Sequence, residues 1–399
     1  MTDSHPPFRI GGVVAGEYFT DRADEVRRIA AALREPQAKL LVYGPRRMGK
    51  TSALLRAAER VRGRGGAVVY ADLGTASTVA DMGTRILQAA SRELGRRWRD
   101  ALASLASRIR PGVSLTMDPV TGVPVMTVEA GRREGSGEEQ QRTLGDVLDA
   151  VDAMAGERGR TVGVILDEFQ EIGTVGGEQA EWHLRGVLQR HEHVGYVLAG
   201  SKESLIHAML GRDRAFYKLF ELMHFGPMDG AHLGAWIEDR LEHAGVAVAG
   251  IGARVVAAAG PRTRDCLELA RAAHLLGGSR PVDAQALVRA AFDLVLREQD
   301  DSIRVQWNTL TALQQNLLRA VASGAEQLYS EATRGQFSLG ATASVAAALE
   351  ALVQKGLLER RNGGVTFDNP FTRGWVVVNG LPDVGMLRSP IPDDENGST

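Results

Sequence analysis

The sequence predicts an α/β protein: a parallel sheet covered by helices on both faces, then an all-helical segment, then a winged helix-turn-helix. Three observations lead there. Short apolar runs at 39–43, 67–73, 161–166 and 194–199 alternate with segments of helical periodicity. Near-continuous apolar strands separated by helices belong in a parallel sheet buried on both faces. One of these runs passes directly into the loop Gly44-Pro45-Arg46-Arg47-Met48-Gly49-Lys50-Thr51. Near the other end, a helical run over 342–355 is followed by two β-prone runs around Asn362-Gly363, a strong hairpin signal.

The elements follow in order. Val26, Ile29, Ala30 and Leu33 form one face of a helix over 20–34, with Pro36 as its stop. The first strand, the glycine loop and a helix to about Arg62 come next; Gly63-Arg64-Gly65-Gly66 is a turn, and the second strand covers 67–73. A helix is expected over 79–102. Alternation from Val113 to Met117 and from Val123 to Val128, about the turn Asp118-Pro119-Val120-Thr121-Gly122, predicts a hairpin inserted within 111–130. A polar, mobile linker is expected at 131–140 and a helix at 141–156. The third and fourth strands occupy 161–166 and 194–199, and Met223-His224-Phe225 reads as a short fifth. The expected domains are a core over 1–227, a helical lid over 228–300, a winged helix over 301–380 and a disordered tail over 381–399, rich in proline and acid. No tandem repeat is visible.

Composition narrows the chemistry. Apolar residues make up 44% of the chain, enough for sizeable cores, and the net charge of −2 provides no global basic field for nucleic acid. A single cysteine, Cys266, excludes an intramolecular disulfide and a cysteine-based metal site; its place on an apolar helical face predicts packing. The first seven residues lack a basic-then-apolar leader pattern, and no uncharged apolar run approaches bilayer length. The expectation is a cytoplasmic protein without membrane contact.

The loop at 44–51 is a full G-x-x-x-x-G-K-[ST] phosphate loop, set between a strand and a helix. Backbone N–H groups at the start of a helix, with its dipole, favour an anion there. Lys50 is placed to reach β- and γ-phosphates, and the Thr51 hydroxyl to ligate Mg²⁺. Asp167-Glu168 ends the third strand, at the sheet edge where ligands sit. Asp167 is expected to hold Mg²⁺ with Thr51, and Glu168 to polarise an attacking water. Ser201, after the fourth strand, reads two ways: a hydrogen bond to water or γ-phosphate, or a plain N-cap for the helix that follows. Lys202 is a weaker phosphate sensor. In the lid, Gly260-Pro261-Arg262-Thr263-Arg264 opens a helix whose arginines either sense the γ-phosphate or face solvent. Arg212, Arg214 and Lys218 are candidate arginine-finger positions or plain surface charges.

These motifs together resemble the archaeal-type ATPases, a group in the STAND branch of P-loop NTPases close to AAA+ and origin-recognition ATPases. The resemblance rests on four stretches: the box Phe19-Thr20-Asp21-Arg22-Ala23-Asp24-Glu25-Val26; the double-arginine Walker A loop from Gly44 to Ser52; the Walker B box Ile165-Leu166-Asp167-Glu168-Phe169-Gln170-Glu171-Ile172; and the ending from Ser344 through Phe367-Asp368-Asn369-Pro370-Phe371 to Trp375. It covers roughly residues 16–378, with a poor match over 100–140. It implies an ASCE/AAA+-like P-loop core, a helical lid and a winged helix, with ATP and Mg²⁺ as cofactors. Gly44, Pro45, Arg46, Arg47, Met48, Gly49, Lys50, Thr51 and Ser52 would cradle the nucleotide, and Arg22 would belong to the adenine-side box. Arg264 suits the sensor arginine of origin-recognition relatives, whereas Gly260-Pro261 looks like the STAND form, so the sensor stays open between Arg262 and Arg264. Adenine over guanine follows from the resemblance, with no N-K-x-D string in the chain.

Three functions remain. The first is an ATP-hydrolysing switch whose lid and winged helix rearrange. The second is a DNA-binding ATPase with its winged helix on duplex. The third is a nucleotide-binding scaffold that does not hydrolyse, which Glu168 argues against. Over 304–378 there are seven Arg or Lys against five Asp or Glu, and the recognition helix, about Thr342 to Lys355, has almost no cation before Lys355. Groove binding leans on several basic contacts, so protein contact or self-docking against the ATPase core competes with DNA for this face; a protein partner or a second copy is an expected partner of the chain.

Overall fold

The computed structural model describes residues 6–12, 16–94, 113–117, 124–128, 137–157, 159–277, 283–361, 364–381 and 391. It divides into two compact units, residues 13–226 and residues 1–12 with 227–399.

The first unit contains α1 (Ala23–Ala32), β1 (Lys39–Tyr43), α2 (Lys50–Arg62), β2 (Ala67–Asp72), α3 (Val79–Leu94), β3 (Val113–Met117), β4 (Pro124–Val128) and α4 (Gly137–Glu157). It continues with β5 (Val162–Asp167), α5 (Glu171–Arg190, kinked at Gly177), β6 (Val194–Gly200), α6 (Glu203–Met209) and β7 (Glu221–His224). Five strands form one parallel sheet in the order β2-β5-β6-β1-β7. Side chains alternate across it. Leu41, Val164, Leu166 and Leu198 pack on one face with α3, α4 and α5, while Leu40, Val42, Ile165 and Val197 pack on the other with α1 and α2. Every residue of β5 and β6 is buried, which is why both read as continuous apolar runs. β3 and β4 pair antiparallel, Val113 opposite Val128. The end of the helix expected to 102 and residues 131–136 of the linker expected over 131–140 lie outside the described residues; residues 137–140 are not linker but the first turn of α4.

The strand order has one consequence for the site. β6 lies between β1 and β5, so the residue that follows β6 stands between the loop that follows β1 and the acids that end β5.

The second unit begins with α7 (Gly230–His243), α8 (Ile251–Ala259), α9 (Thr263–Leu276) and α10 (Ala284–Asn308). The winged-helix portion follows: α11 (Ala312–Ala322), α12 (Glu331–Phe337), α13 (Thr342–Gln354), β8 (Leu358–Arg361), β9 (Gly364–Phe367) and α14 (Pro370–Trp375). Thr311 and Gln314 make a capping box at α11, and Asn369 with Pro370 starts α14. The Asn362-Gly363 turn lies outside the described residues, as does the tail from 382 on apart from Ile391.

Continuous packing crosses two of the expected boundaries. The division at 300/301 falls inside α10, which has no glycine or proline from Ala284 to Asn308 to break it. One apolar cluster accordingly joins Leu233 and Leu269 to Leu317 and Trp375. The Trp375 indole donates to Asp300 Oδ1 at 2.6 Å, and Phe292 meets Phe371 with centroids 5.1 Å apart. The core was also expected from residue 1, but Phe8 packs edge-on against Trp236 at 5.9 Å and Arg240 donates to the Pro7 carbonyl at 2.6 Å, placing residues 6–12 with the second unit. Among the described residues no single helix is long and apolar enough to cross a membrane.

Candidate functional site

The phosphate loop occupies Gly44–Gly49, between β1 and α2. Phe225, just past β7, donates its N–H to the Tyr43 carbonyl at 2.6 Å, and a Cβ on Gly44 would collide with the Phe225 carbonyl oxygen. Only glycine fits there. Gly49 has φ of 90°, and Arg47, which is not glycine, also has a positive φ of 68°; such backbone strain concentrates at ligand sites. α2 begins without a side-chain cap and without an acid in its first turn, so its leading N–H groups are oriented for an anion. Met48 is buried beneath the loop among Leu54, Ala57 and Phe225, and Ser52 is buried on the first turn. Lys50 is 7% exposed and donates through Nζ to the Gly44 carbonyl at 2.7 Å and the Pro45 carbonyl at 2.5 Å. Burial pulls its pKa down to about 8, against the opposing pull of Glu168 and Asp167.

The acidic edge meets this loop. Asp167, 3% exposed, accepts through Oδ2 from Thr51 Oγ1 at 2.8 Å and from the Tyr70 hydroxyl at 3.1 Å, and through Oδ1 from the Glu168 N–H at 3.0 Å. Burial pushes its carboxyl above the usual range, with the Thr51 hydrogen bond opposing. Glu168 turns out of the strand with φ of 52°. Its carboxylate accepts from Ser201 Oγ, 2.7 Å from one oxygen and 2.9 Å from the other, and from Gln170 Nε2 at 2.5 Å. Arg46 Nε donates to Ser201 Oγ at 3.3 Å.

The donor set suits Mg²⁺. Thr51 and Asp167 supply hard oxygens already in contact, and Asp167 is a buried carboxylate whose protein partners are all neutral donors. Among the described residues no group of three or more His, Cys, Asp or Glu could hold a metal by itself. The remaining positions would fall to phosphate oxygens and water, as Mg²⁺ prefers.

The other candidates separate. Ser201 does not cap α6: Lys202 occupies that position without a side-chain cap, and the Ser201 hydroxyl goes to Glu168 instead. Lys202 is paired with Glu171 at 2.7 Å. Arg22, expected on the adenine side, is buried and engaged by protein. Nη2 donates to the Gly226 carbonyl at 2.6 Å, Nη1 pairs with Glu25 at 2.8 Å, and the guanidinium lies 4.2 Å from the Phe225 ring centre. It braces the segment against which Gly44 packs. Arg214 is held by Glu181 and Glu178, leaving Arg212 and Lys218 as the exposed cations of that loop. In the second unit Arg262 is buried and bonded to Glu359 at 2.5 Å and Asp368 at 2.8 Å, whereas Arg264 is exposed on the first turn of α9. Sequence reasoning passed over Tyr70 and Gln170; the signal for Gln170 was its place in the Walker B box, two residues after Glu168.

On the winged helix, α13 exposes Thr342, Ala343, Ser344, Ala346, Ala347, Glu350 and Gln354. Arg360 of β8 lies 3.5 Å from Glu350.

A family model described as "ATPase domain predominantly from Archaea" matches residues 19–229, and one described as "probable winged helix domain" matches residues 303–377. No curated protein matches the chain. Among solved structures, the chain resembles the Walker-type ATPase PABY2304 of Pyrococcus abyssi with TM-score 0.60 and 16% identity, covering 90% of this chain and 96% of that one. The ORC2 protein of Aeropyrum pernix, in ADPNP and ADP complexes, aligns at TM-score 0.45 and 16% identity over 88% and 90%. The ORC1 protein of the same organism, in complex with DNA, aligns at 0.49 and 17% over 92% and 94%. At these identities the first likeness speaks for the fold alone, and the two lower scores add nothing to it.

Proposed function

Because the chain belongs to the ATPase-domain family found predominantly in Archaea, we propose that it is an ATP-hydrolysing molecular switch. In this reading, Mg-ATP binding and hydrolysis in the sheet unit are coupled to rearrangement of the helical and winged-helix unit. The observation that carries the proposal is the convergence of Lys50, Thr51, Asp167 and Glu168 on one loop, with Thr51 and Asp167 2.8 Å apart. Gly44 to Ser52 would wrap the phosphates, with Lys50 leaving the loop carbonyls for a phosphate oxygen. Thr51 and Asp167 would hold Mg²⁺, which when bound neutralises phosphate charge. Glu168 would accept a proton from the attacking water, with Ser201 orienting its carboxylate. The bonds from Arg262 to Glu359 and Asp368 support a lid and wing that rearrange as one body, leaving exposed Arg264 as the sensor candidate. A ligand drives such a switch only by favouring one conformation over the other.

The discriminating experiment is Glu168→Gln. It should preserve Mg-ATP affinity within about twofold and lower phosphate release on the order of 10²- to 10⁴-fold. A wild-type protein that releases no phosphate would leave the non-hydrolysing scaffold standing instead.

For the wing we favour a protein partner or a second copy over duplex DNA. The exposed face of α13 is alanine-rich and carries an acid, Glu350, where groove binding needs cations. A salt-dependent mobility shift with duplex in the presence of ATP would reverse that choice.

A further inference from the structure

We propose that Gln170 is a positioning residue for hydrolysis, retained to aim the Glu168 carboxylate at a cost in fold stability. The inference rests on the ATPase reading above and adds to it a residue with no place in the phosphate loop or on the metal.

Gln170 is 1% exposed, in the turn between β5 and α5. Its amide nitrogen lies 2.5 Å from Glu168 Oε2 and 3.3 Å from Glu171 Oε1. Both neighbours present carboxylate oxygens, which accept, so the NH₂ group faces them. The amide oxygen is thereby turned inward. It meets no donor among the described residues, and it lies 2.6 Å from where a Cβ on Gly200 would stand. Glycine at 200 makes room for it, directly before Ser201.

A buried carbonyl without a partner is unfavourable, and an apolar group of the same shape would avoid the penalty. The carboxylates do not depend on Gln170 for a hydrogen-bond partner either: Glu168 keeps the Ser201 hydroxyl, and Glu171 keeps the Lys202 ammonium. Stability therefore gives no reason for glutamine here. Orientation does. Ser201 has one hydroxyl proton between two Glu168 oxygens, so alone it leaves the carboxylate free to turn. Gln170 fixes Oε2 and presents the other oxygen to its task. Partners of this kind contribute roughly 10- to 100-fold to activity without touching substrate.

The experiment is Gln170→Met in the full chain, which keeps shape and removes both the amide donor and the orphaned carbonyl. Melting temperature, Mg-ATP affinity by calorimetry, kcat, and the crystal structure of the variant are compared with wild type. The expected result is an unchanged or higher melting temperature, ATP affinity within about twofold, kcat lower by on the order of tenfold or more, and a Glu168 side chain rotated away from its wild-type position. The proposal is overturned by a kcat within twofold of wild type, by a higher kcat, or by a fall in melting temperature and ATP affinity that matches the loss of kcat. If the wild type itself hydrolyses nothing, the ATPase reading fails separately. The Glu168 conformation in the variant crystal still decides the positioning claim, an unmoved side chain sinking it.

Discussion

The Thr51 hydroxyl donates to Asp167 Oδ2 at 2.8 Å across 116 residues of chain. In the proposed function each group would be half of a magnesium site. Thr51→Val keeps the β-branched shape and removes the hydroxyl oxygen. In Mg²⁺ its ATP affinity should fall roughly 10- to 100-fold, whereas in EDTA it should match wild type. Calorimetry under both conditions checks this; an equal loss with and without metal would mean that Thr51 only shapes the loop.

Arg262 joins α9 to the wing through Glu359 and Asp368. Arg262→Met removes the cation shared by two partly buried carboxylates, Glu359 and Asp368, and should cost about 3 kcal/mol. Adding Glu359→Gln and Asp368→Asn should recover most of that, because the penalty lies in uncompensated charge. Three of the five tryptophans, Trp236, Trp307 and Trp375, lie in this unit, so urea unfolding followed by tryptophan fluorescence reports on it. A loss below about 0.5 kcal/mol for Arg262→Met, the size of an exposed pair, would show the clasp to be ornamental.

Most of the sheet and the phosphate site were legible because their signals are contiguous. Strands β5 and β6 are buried throughout, and the loop from Gly44 to Thr51 encodes its chemistry in eight adjacent residues. β7 was harder: three of its four residues are exposed, leaving little apolar signal beyond Met223. Gln170 stands in a recognised box, but its value comes from an unpartnered carbonyl, which no pattern encodes. The Arg262 clasp joins residues 97 positions apart in Arg262 and Glu359, and a buried ion pair of that kind looks like any surface charge in a string of letters. At the expected lid boundary α10 runs on unbroken, carrying Phe292 against Phe371 and Asp300 for Trp375, so one helix serves both parts.

Acid sensitivity follows from Asp149. Burial alone would raise its pKa, but hydrogen bonds from His191 and Arg190 outweigh that and hold it below the usual carboxylate range. A depressed folded pKa means that the stabilisation is fully present above the ordinary carboxylate value and is lost as pH falls through the folded one. Asp149→Asn should therefore be less stable than wild type at pH 7, with the two converging as pH falls through the depressed folded-state value. A gap that stays constant with pH, read from chemical denaturation across the range, would contradict this.

Cys266 is fully buried, and burial, with Asp265 adding, pushes its thiol up to about 12. At pH 8 the thiolate fraction is then about one part in ten thousand. As the chain has one cysteine, Ellman's reagent should label no thiol in the native protein and one in concentrated guanidinium. Rapid native labelling would place Cys266 in an environment other than the apolar interior of α9.

The central claim is that the loop closed by Lys50 binds a nucleoside triphosphate with its metal, and isothermal titration with Mg-ATP tests it most directly. The wild type should give a saturating one-site isotherm. Lys50→Ala should weaken it by about 1.5–3 kcal/mol, or roughly 10- to 100-fold, the worth of a charge-assisted hydrogen bond. No heat from the wild type, or an isotherm that Lys50→Ala leaves unaltered, would contradict the account.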